Sequence, residues 1–152
     1  MMLNDSRYTV ESWLRQNVSE QASIGFIGSK TYHPRFHDLP TKDVLKVDIA
    51  DVDSCSLKQM PDFLVVSSGH DINRYPEGTV ERQKFSNLYE GKADYQQVFR
   101  HKSIPKWNLL KIEPPVPLEY YDKRLKKGNI NKINPDIRIF ERQQLPSCIP
   151  AP

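Results

Sequence analysis

Residues 62–68 have the sequence DFLVVSS, a short apolar run that ends in two small hydroxyl residues. Such a run is typical of a strand buried on both faces, and strands of this kind occur mainly in α/β sheets. A polar turn at 69–71, a predicted helix over 79–89 and a second strand-like run over 95–99 come next. This β-loop-α-β order indicates the α/β class.

Further strand candidates lie on both sides of this unit. Two precede it, at 23–27 and 44–49, and one follows at 137–142, where apolar and polar residues alternate. A helix capped by Asp5 or Ser6 comes before the first strand. Because helical connections favour parallel neighbours, we predict a three-layer α/β sandwich with a mostly parallel, Rossmann- or flavodoxin-like sheet of about five strands. The last strand is the candidate for an antiparallel edge.

The composition of the chain, 38% hydrophobic and 27% charged over 152 residues, is that of one globular domain. We predict a single α/β domain over 1–142, with Leu64, Val66 and Val98 in its core, and a tail over 143–152. A long irregular insertion with many prolines, over 103–134, precedes the last strand; such a stretch is either functional or poorly ordered. No segment has the length and apolarity of a membrane helix, and the first residues lack the layout of a signal peptide.

Charge is distributed unevenly along the chain. Residues 1–99 carry 11 basic and 14 acidic side chains, whereas residues 100–142 carry 11 and 5. The second segment can contact phosphates, anionic lipid headgroups or an acidic partner, although a solvated surface loop is the favoured interpretation. Aromatic rings among its cations suit sugar stacking or a membrane interface. The predicted membrane or anion contacts are Trp107, Lys123, Arg124, Lys126 and Lys127.

Small polar residues directly follow the strand at 62–68. Ligands of open parallel sheets bind at the carboxyl ends of the strands, so we expect any pocket to be bordered by Ser67, Ser68, His70 and Asp71. The same residue types form hydrolytic triads, but triad members converge from different elements and the run lacks a G-x-S-x-G elbow. A structural interpretation is favoured, in which small residues end the strand and Asp71 stabilises the turn. We therefore predict no catalytic residue.

Other short motifs are weaker. The turn GFIGSK at 25–30 has neither of the glycine spacings that place backbone amides around a phosphate. His33 and His37 stand four residues apart, but a proline lies between them and no further ligand completes a metal site, so both are expected in an exposed loop. The sequence leaves open whether Cys55 and Cys148 pair. We predict no metal and no cofactor.

Several stretches together resemble a known domain. They are DSRY at 5–8, WLRQNV at 13–18, PDFLVVSS at 61–68, FSNLYEGKADY at 85–95 and NPDIRIFER at 134–142. In this order they are similar to the soluble carboxy-terminal extracytoplasmic domain of bacterial membrane glycosyltransferases of the protein mannosyltransferase kind, which take a sugar from a polyprenyl-phosphate carrier. In that family the catalytic residues belong largely to the membrane part, so no functional residue is carried over.

The resemblance implies a non-catalytic accessory or recognition domain in cell-envelope glycan or glycoprotein assembly. Its implied partners are a membrane glycosyltransferase core or the membrane surface, and a glycan; no nucleic acid is expected. The implied location is the outer face of the cytoplasmic membrane if the chain is part of a larger membrane protein, and the cytoplasm if the chain is complete. The isolated chain is predicted to lack enzymatic activity.

Two other hypotheses remain open. The first is a stand-alone small α/β enzyme or binding protein that takes a phosphorylated or nucleotide-like ligand at the strand-end pocket near residues 67–71. The second is an intracellular interaction protein whose basic segment recognises an acidic partner. The first of these depends on a strand-end pocket, and the second on the basic segment alone.

Overall fold

A computed structural model describes residues 5–52, 60–102 and 135–143. The predicted insertion at 103–134 therefore lies outside the described residues, as does the predicted tail beyond Gln143. The described helices and strands are α1 (Ser6–Asn17), β1 (Ser23–Ile27), β2 (Asp43–Val47), β3 (Phe63–Ser67), α2 (Val80–Tyr89), β4 (Tyr95–His101) and β5 (Ile137–Arg142). Short 3₁₀ turns follow the first three strands, at Lys30–Tyr32, Ile49–Asp51, Ser68–His70 and Ile72–Arg74.

The five strands form one mixed sheet in the order β2-β1-β3-β5-β4. β1 pairs in parallel with both β2 and β3, whereas β5 is antiparallel to both β3 and β4. The predicted mostly parallel, Rossmann- or flavodoxin-like sandwich is therefore wrong, and so is the expected edge position of the last strand. The physical reason is the apolar content of β5: Ile137, Ile139 and Phe140 are all fully buried, which requires cover on both faces and a place inside the sheet.

Two apolar cores lie on opposite faces of this sheet. Successive side chains of β3 point to opposite faces, so Leu64 and Val66 pack on one side and Phe63 and Val65 on the other. The predicted burial of Leu64 and Val66 is confirmed. The helix residues that complete the two cores are Phe85 and Leu88 of α2 on the first side, and Val10 and Leu14 of α1 on the second.

Strand β4 contains a bulge at Val98. Gln97 and Phe99 pair with consecutive residues of β5, which leaves Val98 without a ladder partner. The bulge sends two aromatic side chains of β4 to opposite faces, so Tyr95 packs in the α2-side core and Phe99 stacks on Trp13 beside α1. Val98 itself is 37% exposed, and its predicted place in the core is wrong.

The helices begin and end at residues that satisfy their backbone groups. Asp5 caps α1, as predicted, by accepting a 3.0 Å hydrogen bond from the Arg7 N–H. In the first turn of α1, the buried Ser6 hydroxyl donates to the Pro135 carbonyl just before β5, at 2.5 Å. Thr79 caps α2 in the same way as Asp5 caps α1. Neither helix of the described part has the length and apolar character needed to cross a membrane.

Candidate ligand-binding cleft

An open cleft of about 740 Å³ lies at the carboxyl ends of the parallel strands β1 and β2, beside the turn that follows β3. β1 is the middle one of these three strands, so the chain passes to one side of it to form β2 and to the other to form β3. Crevices that bind ligands occur at such reversals of strand order. The polar side chains that line this cleft are Ser29, Lys30, Lys46, Asp48, Asp51, His70 and Tyr75.

The turn after β1 is held closely against the turn after β3. Gly28 has φ +95, and a Cβ atom at this position would lie 2.4 Å from the His70 Cβ atom. A Cβ atom at Gly69 would lie 2.7 Å from the ring of Tyr32. Two glycines therefore allow the two turns to touch, and this contact fixes His70 beside the turn that carries Ser29.

A second wall of the cleft follows β2. Asp48 begins a 3₁₀ turn, and its Oδ1 atom accepts a 3.0 Å hydrogen bond from the Ala50 N–H. Ile49 is buried in the α2-side core. The ammonium group of Lys84, on α2, donates to the carbonyls of Ala50 at 2.5 Å and Val52 at 2.7 Å. The core and α2 together fix the position of the Asp48 carboxylate.

Of the four site residues predicted after β3, His70 is the one that lines the cleft. Ser67 is completely buried, and its hydroxyl has no partner among the described residues. The Ser68 hydroxyl accepts a 2.9 Å hydrogen bond from the backbone N–H of the residue before β5. Asp71 accepts from the Asn73 N–H at 3.1 Å, the turn-stabilising role that the sequence favours. Ser68 and Asp71 therefore hold the segment that positions His70.

Burial and nearby charges shift the pKa values of two side chains that line the cleft, His70 and Tyr75. Burial lowers the pKa of His70, and the positive charges of Arg74 and Lys46 lower it further. Burial raises the pKa of Tyr75, and the negative charge of Asp48 raises it further. The lowered pKa of His70 favours the uncharged imidazole at neutral pH. Lysines and carboxylates thus line the same cleft as His70 and Tyr75.

The two histidines between β1 and β2 differ from each other. His37 is exposed as expected, but His33 is only 3% exposed, so the expectation for His33 is wrong. The His33 Nε2–H donates to the Ile27 carbonyl at 2.8 Å, and its ring packs against the rings of Phe26 and Phe36. Burial is the main cause that lowers the pKa of His33 to about 4. No cluster of His, Cys, Asp and Glu in the described ranges could hold a metal ion.

The structure adds cleft residues that the sequence did not indicate, namely Lys30, Lys46, Asp48 and Tyr75. A usable signal was present after the predicted strand at 23–27, which Ser29 and Lys30 follow, whereas Lys46 and Asp48 lie within the predicted strand at 44–49. The predicted membrane or anion contacts Trp107, Lys123, Arg124, Lys126 and Lys127, and both cysteines, lie outside the described residues.

Comparisons with known proteins gave no match, whether with protein-family models, with curated proteins or with solved structures. The function is therefore argued from the cleft. Its two lysines can bind an anion, its carboxylates can accept hydrogen bonds, and Tyr75 offers an aromatic ring with a polar tip. A volume of about 740 Å³ is within the range of small-molecule sites.

Proposed function

We propose that this chain is a non-catalytic recognition domain that binds a small phosphorylated ligand in the cleft. The observation that carries the proposal is that Lys30, in the turn after β1, and Lys46, near the end of the neighbouring strand β2, line the same cleft. Within the described residues, neither ammonium group forms an ion pair with a carboxylate, and Lys30 lies 5.9 Å from the centroid of the Phe26 ring. Two such cations can bind one phosphate group.

The segment after β3 supports binding rather than catalysis. It contains serine, histidine and aspartate, but Ser67 is buried and Ser68 and Asp71 are engaged in hydrogen bonds that hold the backbone. Nucleophilic catalysis by serine requires a base within hydrogen-bonding reach of an accessible hydroxyl. His70 instead faces the cleft between the turns after β1 and β3, where an uncharged imidazole can donate a hydrogen bond to a ligand.

The binding proposal is tested by titrating the protein with ribose 5-phosphate and following its backbone amide signals by NMR. We expect the signals of residues 28–30 and 46–48 to shift. Affinity should fall at least about tenfold when Lys30 and Lys46 are both replaced by Gln, because the loss of even one hydrogen bond to a charged group costs about 1.5–3 kcal/mol. Lys92→Ala is the matched control, because Lys92 pairs with Glu90 at the opposite edge of the sheet.

Two outcomes would contradict the proposal. One is an absence of signal shifts at the cleft for any phosphorylated ligand. The other is equal affinity of the double lysine variant and the Lys92→Ala control.

Raising the salt concentration should weaken binding in the wild type, because the phosphate contacts are exposed to solvent on one side.

The wider setting that we propose is the one implied by the sequence motifs, an accessory role beside a membrane glycosyltransferase in cell-envelope assembly. The motifs lie in and beside α1, β3, α2, β4 and β5, and most of their apolar residues pack the two cores. In the family that the motifs resemble, the catalytic residues belong largely to the membrane part, so we expect the isolated chain to transfer no labelled sugar to peptide or glycan acceptors. Turnover that is abolished by His70→Ala would favour an autonomous enzyme instead.

A further inference from the structure

The cleft has an acceptor as well as an anion-binding part. Asp48 lines the same cleft as Lys30 and Lys46, and its negative charge acts on Tyr75 rather than on His70. An ionised carboxylate accepts hydrogen bonds and donates none. A ligand that fills the cleft must therefore bring hydrogen-bond donors to Asp48, since a second anionic group there would be repelled.

From this we infer that the ligand is a phosphate ester that carries a vicinal diol, and that Asp48 binds the two hydroxyls. The inference rests on the proposed phosphate site and identifies the class of ligand more closely. Two neighbouring hydroxyls can donate to a single carboxylate, and Tyr75 beside it offers the aromatic surface on which a sugar ring packs. An ammonium group is another donor that could approach Asp48, and phosphoethanolamine, which carries one, tests this alternative.

The Asp48 carboxylate is also pre-organised for binding. Its Oδ1 atom accepts from the Ala50 N–H, and the turn it begins is anchored by buried Ile49 and by the bonds from Lys84. A side chain held in this way loses little freedom when a ligand binds. Asp43 is the matched control, since it is exposed like Asp48 but lies at the start of β2, at the opposite end of the strand from the cleft.

The test is a calorimetric titration with ribose 5-phosphate, 2-deoxyribose 5-phosphate and phosphoethanolamine. We expect the ribose compound to bind about tenfold tighter or more than the deoxy compound, since the latter lacks one donor to a charged acceptor. Asp48→Asn should remove this preference and keep the fold, because Asn also caps helical turns. Asp43→Asn should keep the preference, and a thermal unfolding scan verifies that both variants are folded.

Each outcome distinguishes the diol from the phosphate site. The two pentose phosphates could bind with equal affinity, and the double Lys30 and Lys46 variant could weaken both. This result would refute the inference that Asp48 binds a diol, but it would support the proposed phosphate site. Tighter binding of phosphoethanolamine than of ribose 5-phosphate would show an ammonium ligand and would likewise overturn the diol. A lack of binding by every phosphate compound would overturn both proposals. A preference for ribose that survives in Asp48→Asn would assign the diol to another residue and refute the role of Asp48.

Discussion

Replacing Gly28 by Ala should destabilise the protein far more than one methyl group ordinarily does. The residue has φ +95, where an L side chain costs about 1–2 kcal/mol. The new Cβ atom would lie 2.4 Å from the His70 Cβ atom, which is fixed to the backbone and cannot rotate away. Overpacking of this kind costs about 1–3 kcal/mol. We therefore expect the free energy of unfolding to fall by about 2–5 kcal/mol, measured by urea denaturation with circular dichroism.

Gly78→Ala is the matched control for this experiment. Gly78 has φ +84, but a Cβ atom there would meet nothing within 4 Å, so only the backbone cost of about 1–2 kcal/mol applies. The excess of Gly28→Ala over Gly78→Ala isolates the contact with His70. Adding His70→Gly to the Gly28→Ala variant should recover part of the loss. Equal destabilisation by the two single variants would refute the close packing of the turns after β1 and β3.

Three further outcomes are expected. Tyr95→Phe removes a hydroxyl that donates a buried 2.6 Å hydrogen bond to a backbone carbonyl, and the free energy of unfolding in urea should fall by about 1–3 kcal/mol. Lys84→Met leaves the carbonyls of Ala50 and Val52 without their ammonium donor, so amide hydrogen exchange over 49–52 should accelerate while α2 keeps its protection; unchanged exchange would contradict this. Burial lowers the pKa of His33 from 6.5 to about 4, so only the unfolded state binds a proton between these values. Stability should be full above pH 6.5 and should fall by about 3 kcal/mol towards pH 4, as seen in urea midpoints, and a His33→Gln variant should not show this fall.

Local signals in the sequence located the helices and strands well. Asp5 precedes the first helix and Thr79 the second, and both cap the helices as their short polar side chains allow. Strand β3 is predictable because a short apolar run in the sequence ends in small hydroxyl residues. In the structure its five side chains, from Phe63 to Ser67, are all buried. These features depend on neighbouring residues alone, which is why the sequence suffices to predict them.

The order of the strands depends on contacts that are distant in sequence, and here the prediction failed. Pairing of Val65 with Ile139 joins residues that are 74 positions apart (139 − 65), and no local pattern specifies it. The helix between β3 and β4 suggested parallel neighbours, but β5 lies between these two strands. The bulge at Val98 could not be predicted either, because an apolar residue in a strand pattern is expected to face a core.

The candidate site was partly predictable for the same reason. Ligands of open parallel sheets bind at the carboxyl ends of the strands, and this rule predicts a site after β3. His70, which follows β3, does line the cleft. Lys46 and Asp48 become neighbours of His70 and Tyr75 only through the pairing of β2 with β1, which the rule does not specify. The burial of His33 likewise results from the packing of Phe26 and Phe36 around its ring.

The position of β5 between β3 and β4 has a consequence for the synthesis of the protein. A ribosome makes β3 and β4 well before residues 137–142, yet these two strands are joined to each other only through β5. Until the last strand emerges, β3 and β4 each present an edge with unpaired backbone groups, and such edges pair readily with other chains. A nascent chain that stalls before residue 137 would therefore be prone to aggregate, and completion of the sheet must await the final described strand.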